Sequence, residues 1–371
     1  MIELCDIVGQ GAAVERLRRA MDSRRMPHAF LFAGPRGVGR RTTAVAFART
    51  LLCAEPATGP DGRHACGKCT DCTLQAAGSH PDFHLVYKEL ARFHDDASVR
   101  GRVMQGLGIP VIRSYLIDPA CRASGRGRGK VFIVREADLM SREAQNALLK
   151  TLEEPPPGVT IVLLCRRPEQ MLPTTRSRCS VVRFGALPRD FVAARLVEQG
   201  VAGDEADFWA RYTEGSVGRA LGLASGGFYE VKREVIEQLA SMGSAGDAAL
   251  GERLTGLTDT LATAAVSDAK ANGASLSKNL ASRQAAGTML ELIASAFRDA
   301  MRLATGAEGP LIHSDQSQAV AALAGRHHPT ALAEIVEQLS AYERLLWRNV
   351  NAKIIWDNAV ITCATAAPLR L

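Results

Sequence analysis

The chain has 371 residues, 47% of them hydrophobic and 23% charged, with a formal net charge of +6. That is the make-up of a globular chain long enough for two or three domains, and so mild a positive balance permits nucleic acid nearby without requiring it. The apolar run Ile161 to Cys165 is far too short to cross a bilayer, and the first six residues lack the basic start and apolar core of a secretory leader. Nine cysteines in such a chain point to thiols and metal rather than disulfides, in a cytoplasmic protein with no membrane partner.

Val14, Leu17 and Met21 recur at helical spacing and predict a helix that Pro27 stops. Phe30-Leu31-Phe32-Ala33 then reads as an apolar strand running into a glycine-rich turn, Gly34 to Thr43, and a helix over Ala44 to Leu52. This is the context of a phosphate-binding loop, in which the first and last glycines of G-x-x-x-x-G-K-[ST] let backbone N–H groups converge on an anion. The shape is present and the chemistry is not. Arg40 stands where the lysine belongs, and a planar guanidinium does not replace that compact charge. Arg41 removes the metal-binding hydroxyl and puts a second cation where Mg2+ would sit, while Thr42 comes one residue late. Gly34, Gly37, Gly39, Arg40, Arg41 and Thr42 therefore form a degenerate nucleotide loop expected to hold neither ATP nor Mg2+; the alternative is a glycine-rich turn with no ligand at all.

Cys53, Cys66, Cys69 and Cys72 follow, two C-x2-C steps sharing a cysteine with a fourth thiol 13 residues earlier. Four sulfurs so spaced can close around Zn2+, and full thiolate ligation makes such a zinc structural. The alternative is reduced cysteines in a loop. His64 could replace a ligand or be a solvated side chain. His80 to Val86 returns to a strand, and Tyr87 to Gly108 is polar, with His94-Asp95-Asp96 readable as a metal site or a solvated turn. Arg122, Arg126, Arg128 and Lys130 in the loop Cys121 to Lys130 could touch a phosphate backbone or simply be solvated.

Lys130 to Val134 has the continuous apolar pattern of a buried parallel strand. Its end should carry a metal-organising aspartate and a water-activating glutamate. Arg135 replaces the first and Glu136 remains, so three positions that would serve Mg-ATP are arginines. Ser141 caps a helix that ends before Pro155-Pro156-Pro157, and Val159 to Cys165 is a further buried strand. Arg178, in Thr174-Thr175-Arg176-Ser177-Arg178-Cys179, lies where a helix end projects from the domain; in most proteins such a residue is a surface salt bridge.

Together Val8-Gly9-Gln10, Pro27-His28-Ala29, the four cysteines, Asn146 to Pro156, Ser177-Arg178-Cys179 and Gly215 to Leu221 resemble the AAA+ clamp-loader family over about the first 220 residues. The resemblance implies an α/β AAA+ P-loop domain on a parallel sheet over 1–184 with a zinc module at about 53–72. A small helical lid over 185–240 and an all-α collar domain over 241–371 would follow. It further implies a pentamer with an ATPase motor subunit that places a ring-shaped sliding clamp on primer–template DNA during replication. Arg178 falls on the family's arginine finger, which completes the ATP site of the adjacent subunit, and Arg219 on the lid residue that senses nucleotide. Arg219 reads equally as a packing or salt-bridge residue. The motor subunit carries the lysine, hydroxyl and aspartate that are absent here, so the expected role is a subunit without intrinsic ATPase. The alternatives are an active motor and a zinc-dependent nucleic-acid-binding module. Ser241 to Ala249 and Val266 to Asn279 read as linkers, and Met289 to Met301 and Leu332 to Leu346 as apolar helix stripes. Trp347 and Trp356 are candidate interface anchors or buried core residues.

Overall fold

The computed structural model describes residues 2–23, 25–60, 62–100, 106–243, 248–271, 276–348 and 350–365. The chain divides into two compact units, the first comprising 1–188 with 215–218 and the second 189–214 with 219–371.

In the first unit, α1 (Gly11–Asp22) precedes β1 (Ala29–Ala33), and α2 (Arg40–Leu52) follows the glycine turn. A two-stranded antiparallel hairpin of β2 (Ala57–Gly59) and β3 (Gly62–His64) comes next, then α3 (Thr70–Ala76) and β4 (Phe83–Val86). The chain continues through α4 (Ala97–Arg100), α5 (Ile109–Ile112) and α6 (Asp118–Ala120) to β5 (Lys130–Val134). It closes with α7 (Arg142–Glu153), β6 (Val159–Cys165), α8 (Pro173–Ser177) and β7 (Ser180–Arg183).

Five strands form one wholly parallel sheet in the order β4-β5-β6-β1-β7, with Leu31 opposite Leu163 and Val181 in register. Every residue of β1, β5 and β6 is buried, as their unbroken apolar runs require when helices cover both faces. From β1 the chain crosses to the far edge, works back through β5 and β6, and returns beside β1 as β7. The carboxyl ends of these strands, where the order reverses, are where such sheets open a crevice.

α2 starts at Arg40, earlier than the Ala44 expected from the sequence, because Gly39 takes the left-handed conformation and ends the turn there. Arg40 and Arg41 therefore lie on the first helical turn. On the opposite edge the buried Asp82 carboxylate accepts from Gly125 N–H (2.8 Å), Arg126 N–H (2.8 Å) and the Ser124 hydroxyl (3.1 Å), pinning the loop before β5.

The second unit is helical: α9 (Arg189–Glu198), α10 (Gly203–Tyr212), α11 (Val217–Ser225, whose first two residues fall in the first unit), α12 (Phe228–Ser241), α13 (Ala248–Ala271), α14 (Lys278–Thr305), α15 (Ser317–Arg326), α16 (Pro329–Leu346) and α17 (Ala352–Thr365). Met289, Leu292, Ile293, Ala296, Phe297 and Ala300 of α14 and Leu332, Ile335, Leu339, Tyr342 and Leu346 of α16 are buried, so both stripes are core. The linker expected over Val266 to Asn279 is corrected: α13 runs through Ala271 and α14 begins at Lys278, since the alanine-rich Ala262 to Ala271 favours helix. Residues 244–247 and 272–275, within the two expected linkers, and Asn349 lie outside the described residues. Trp356 is fully buried, whereas Trp347 is half exposed.

Burial opposes the charge on Asp82, yet its three donors outweigh that and hold its carboxyl below the usual range. Stability from a depressed carboxylate is present above the unfolded pKa and lost as pH falls through the folded one. Asp82→Asn is expected to cost about 1–2 kcal/mol at neutral pH. In denaturant titrations the deficit should narrow below about pH 4.

Candidate functional site

The glycine turn is held from several sides within the first unit. Gly34 N–H donates to Cys165 O (3.2 Å), and a Cβ at Gly34 would lie 2.3 Å from Phe184 O, so only glycine fits. Gln10 Nε2 donates to Val38 O (3.1 Å) and Gly185 O (2.8 Å), and Gly185 N–H returns a bond to Gln10 Oε1 (3.1 Å). Ser216 Oγ donates to Arg36 O (2.7 Å) and Gly218 N–H to Gly37 O (3.1 Å). The carbonyls of Arg36, Gly37 and Val38 are thus all engaged by protein groups.

Around this turn the carboxyl edge of the sheet is crowded with cations. Arg40 is half-buried, and its Nη1 is buried without a hydrogen-bond partner. Burial lowers its pKa most; Asp138 and Cys165 oppose the effect and Arg166 adds to it. Arg41 is depressed by burial and then by Arg135, whose guanidinium lies 5.6 Å from the centre of the Tyr87 ring. Glu136, the expected water-activating residue, faces Lys88 Nζ at 3.8 Å. Thr42 is exposed, and the Thr43 hydroxyl turns back to Gly39 O (3.0 Å).

Asp138 is the residue that sequence reasoning missed. Glu136 takes a left-handed conformation (φ 51°) and a 3-10 turn over Ala137–Leu139 follows, which folds Asp138 inward. Its buried carboxylate accepts from Arg166 N–H (3.1 Å) and lies 3.9 Å from Arg166 Nε. The only signal in the sequence was an acid two residues past Glu136. An anionic group is present at this edge, but it is committed to the protein's own arginines.

The four cysteines converge. Their sulfurs all lie within 4.8 Å of one another, the only such cluster of metal-ligand residues among the described residues. Cys53 Sγ is 3.6 Å from Cys66 Sγ and 3.8 Å from Cys69 Sγ. A tetrahedral thiolate site with Zn–S of about 2.3 Å needs sulfurs ~3.8 Å apart, whereas a disulfide needs about 2 Å, so the cradle fits a metal. Backbone N–H groups of Cys66 and Cys69 point at Cys53 and Cys66 sulfurs, each at 3.3 Å, as thiolates favour. Burial raises the Cys53 and Cys72 thiols, whereas hydrogen bonds from the Cys72 and Ala54 backbone and the Cys66 side chain overcome it at Cys69 and bring that thiol down to about 6. His64 is not in the cluster; its Nδ1 lies 3.3 Å from Gly62 O. His94, Asp95 and Asp96 form a local turn instead, with His94 Nδ1 accepting from Asp96 N–H and Asp96 Oδ1 from Ser98 N–H. In the loop before β5, Arg126 pairs with Asp71 (2.7 Å), Arg128 donates to Ala54 O (2.6 Å) and Lys130 to Pro119 O (2.6 Å).

Arg178 caps the C-terminus of α8, its side chain about one third exposed. Its Nη1 donates to Thr174 O (2.9 Å) and its Nη2 lies 2.5 Å from Glu153 Oε1. Arg219, in the second unit, pairs with Glu291 at 2.5 Å and stacks 5.0 Å from the centre of the Tyr212 ring.

Two family models match the chain, described as DNA polymerase III, delta subunit, over residues 9–188, and DNA polymerase III, delta subunit, C terminal, over 252–363. The DNA polymerase III subunit delta' of Escherichia coli is 31% identical over 234 residues, 63% of this chain and 65% of that protein. Its Bacillus subtilis namesake is 30% identical over 229 residues, 62% of this chain and 63% of that one. The subunit gamma/tau of Mycobacterium tuberculosis is 36% identical over 205 residues, covering 54% and 32% respectively. The chain thus spans less than two thirds of the length of each of these relatives. It belongs to the DNA polymerase III delta-subunit family.

Metal analysis of freshly purified, reduced protein is expected to find about one zinc per chain. Cys72→Ser, which removes a buried sulfur of the cluster, should lower that content and the melting temperature together. Protein that is free of metal and equally stable would refute the site.

Proposed function

We propose that this member of the family works as a delta-prime-like subunit of the bacterial DNA polymerase III clamp loader, hydrolysing no ATP itself and supplying Arg178 to a neighbour's ATP site. The observation that carries the reading is a pair of arginine couplings, Arg40 beside Arg166 and Arg41 beside Arg135, at positions where a divalent ion and its hydroxyl and carboxylate ligands would be, with Asp138 taken by Arg166. Such an edge repels Mg2+. The glycine turn keeps its shape through protein contacts and needs no nucleotide to do so.

Arg178 supports the other half of the reading. It stands at a helix end on the surface, and a guanidinium offered there to an adjoining subunit can stabilise charge developing on a transferred phosphoryl group. The partners would be the ATPase motor and delta subunits of a pentamer, with the sliding clamp and primer–template DNA met through the assembly. The four cysteines would hold a structural Zn2+, closing a segment with a very small core of its own. The lid over 185–240 and the collar over 241–371 belong to the same proposal.

The isolated chain is expected to release no phosphate from Mg-ATP above background. In the reconstituted assembly Arg178→Ala should leave folding and assembly intact and slow turnover at the site it completes by on the order of 10³. Turnover by the isolated chain would instead favour an autonomous motor. DNA affinity that survives in isolation and disappears with the cysteines would favour a zinc-dependent nucleic-acid-binding module.

A further inference from the structure

The Arg178–Glu153 contact is built in a way that an incidental surface pair is not. Glu153 is the last residue of α7, where a carboxylate faces the negative end of the helix and is disfavoured. The helix cannot relax away from it easily. His28 Nε2 holds the Leu152 carbonyl at 2.7 Å, Glu154 N–H bonds Lys150 O at 3.0 Å, and Pro155-Pro156-Pro157 stiffens the exit. Glu153 is therefore fixed in a position its own helix opposes, and what it meets there is Arg178.

Both terminal nitrogens of that guanidinium are engaged, Nη1 by Thr174 O at 2.9 Å and Nη2 by Glu153 Oε1 at 2.5 Å. These two nitrogens form the fork that would grip two phosphate oxygens. The fork is folded onto its own subunit. The pair is nevertheless soft, because the two side chains are 34% and 47% exposed and such ion pairs contribute little. A triphosphate carries several negative charges against the one of Glu153 and can displace it.

We infer that Glu153 is a latch on Arg178, a carboxylate that occupies the guanidinium fork until the triphosphate of a neighbouring subunit displaces it. The inference rests on the proposed role of Arg178 as a residue acting in trans. Glu153 takes no part in the chemistry and acts through Arg178 alone. Its removal relieves a competition, which shows in the ATP concentration needed for turnover and not in the maximal rate.

The test is ATP hydrolysis by the assembly reconstituted with its native partner subunits, carrying Glu153→Gln, Arg178→Ala or both. Glu153→Gln keeps the size of an exposed side chain and should lower the apparent KM for ATP about two- to fivefold, the range a half-exposed ion pair commands, with kcat unchanged. The double variant should match Arg178→Ala alone. An unchanged KM, a fall in kcat, or a lower KM that persists when Arg178 is absent would each overturn the latch. If Arg178→Ala itself leaves turnover unaltered, the role of Arg178 fails and the latch with it; a slow Arg178→Ala beside a Glu153→Gln that behaves as wild type removes the latch alone.

Discussion

The first unit depends on one close approach, that of Gly34 to the carbonyl of Phe184. A side chain at residue 34 would overlap that oxygen, so glycine is required by packing whether or not an anion is ever bound. The contact lies where β1 and β7 end side by side, with Phe184 N–H bonded to Ala33 O at 2.8 Å. Gln10 then bridges the turn to Gly185, and Ser216 and Gly218 hold the Arg36 and Gly37 carbonyls. A turn fixed so completely by its own protein keeps the form of a phosphate loop whatever side chains follow it. This explains why shape and side-chain chemistry disagree at this place.

The disagreement is electrostatic. Guanidinium groups stand along the carboxyl edge of the sheet, and the two carboxylates there are matched internally, Glu136 by Lys88 and Asp138 by Arg166. Each cation in so crowded a place disfavours its neighbours, which is why burial and like charge both pull Arg41 down. A divalent ion would add to that repulsion. Arg40 with Arg166, and Arg41 with Arg135, therefore make this a cationic edge.

The cysteine segment solves a different problem. Between α2 and β4 the chain offers a very small apolar core, chiefly Ala65 and the cysteines themselves. Polar struts hold it to the rest: Arg49 reaches Gln75, Glu3 and the Ile2 carbonyl, and Arg126 reaches Asp71. Four converging sulfurs place there a set of groups that could hold a metal ion, and such an ion would supply the cross-link that hydrophobic burial cannot provide at this size.

The sequence by itself determined the strand–turn–helix about Gly34, the buried parallel strands, the apolar stripes of α14 and α16, and the convergence of the four cysteines. All of these follow from local pattern: period, turn residues and ligand spacing act over a few residues and survive any tertiary arrangement. Polar composition misled over Val266 to Ala271, where alanine kept the helix going, and periodicity could not separate buried Trp356 from exposed Trp347. Only the tertiary structure decided that Asp138 turns inward to Arg166, that Arg219 meets Glu291 and that Glu153 meets Arg178. Those pairings join side chains 25 to 72 residues apart, and charge acts through space, so no spacing along the chain encodes them.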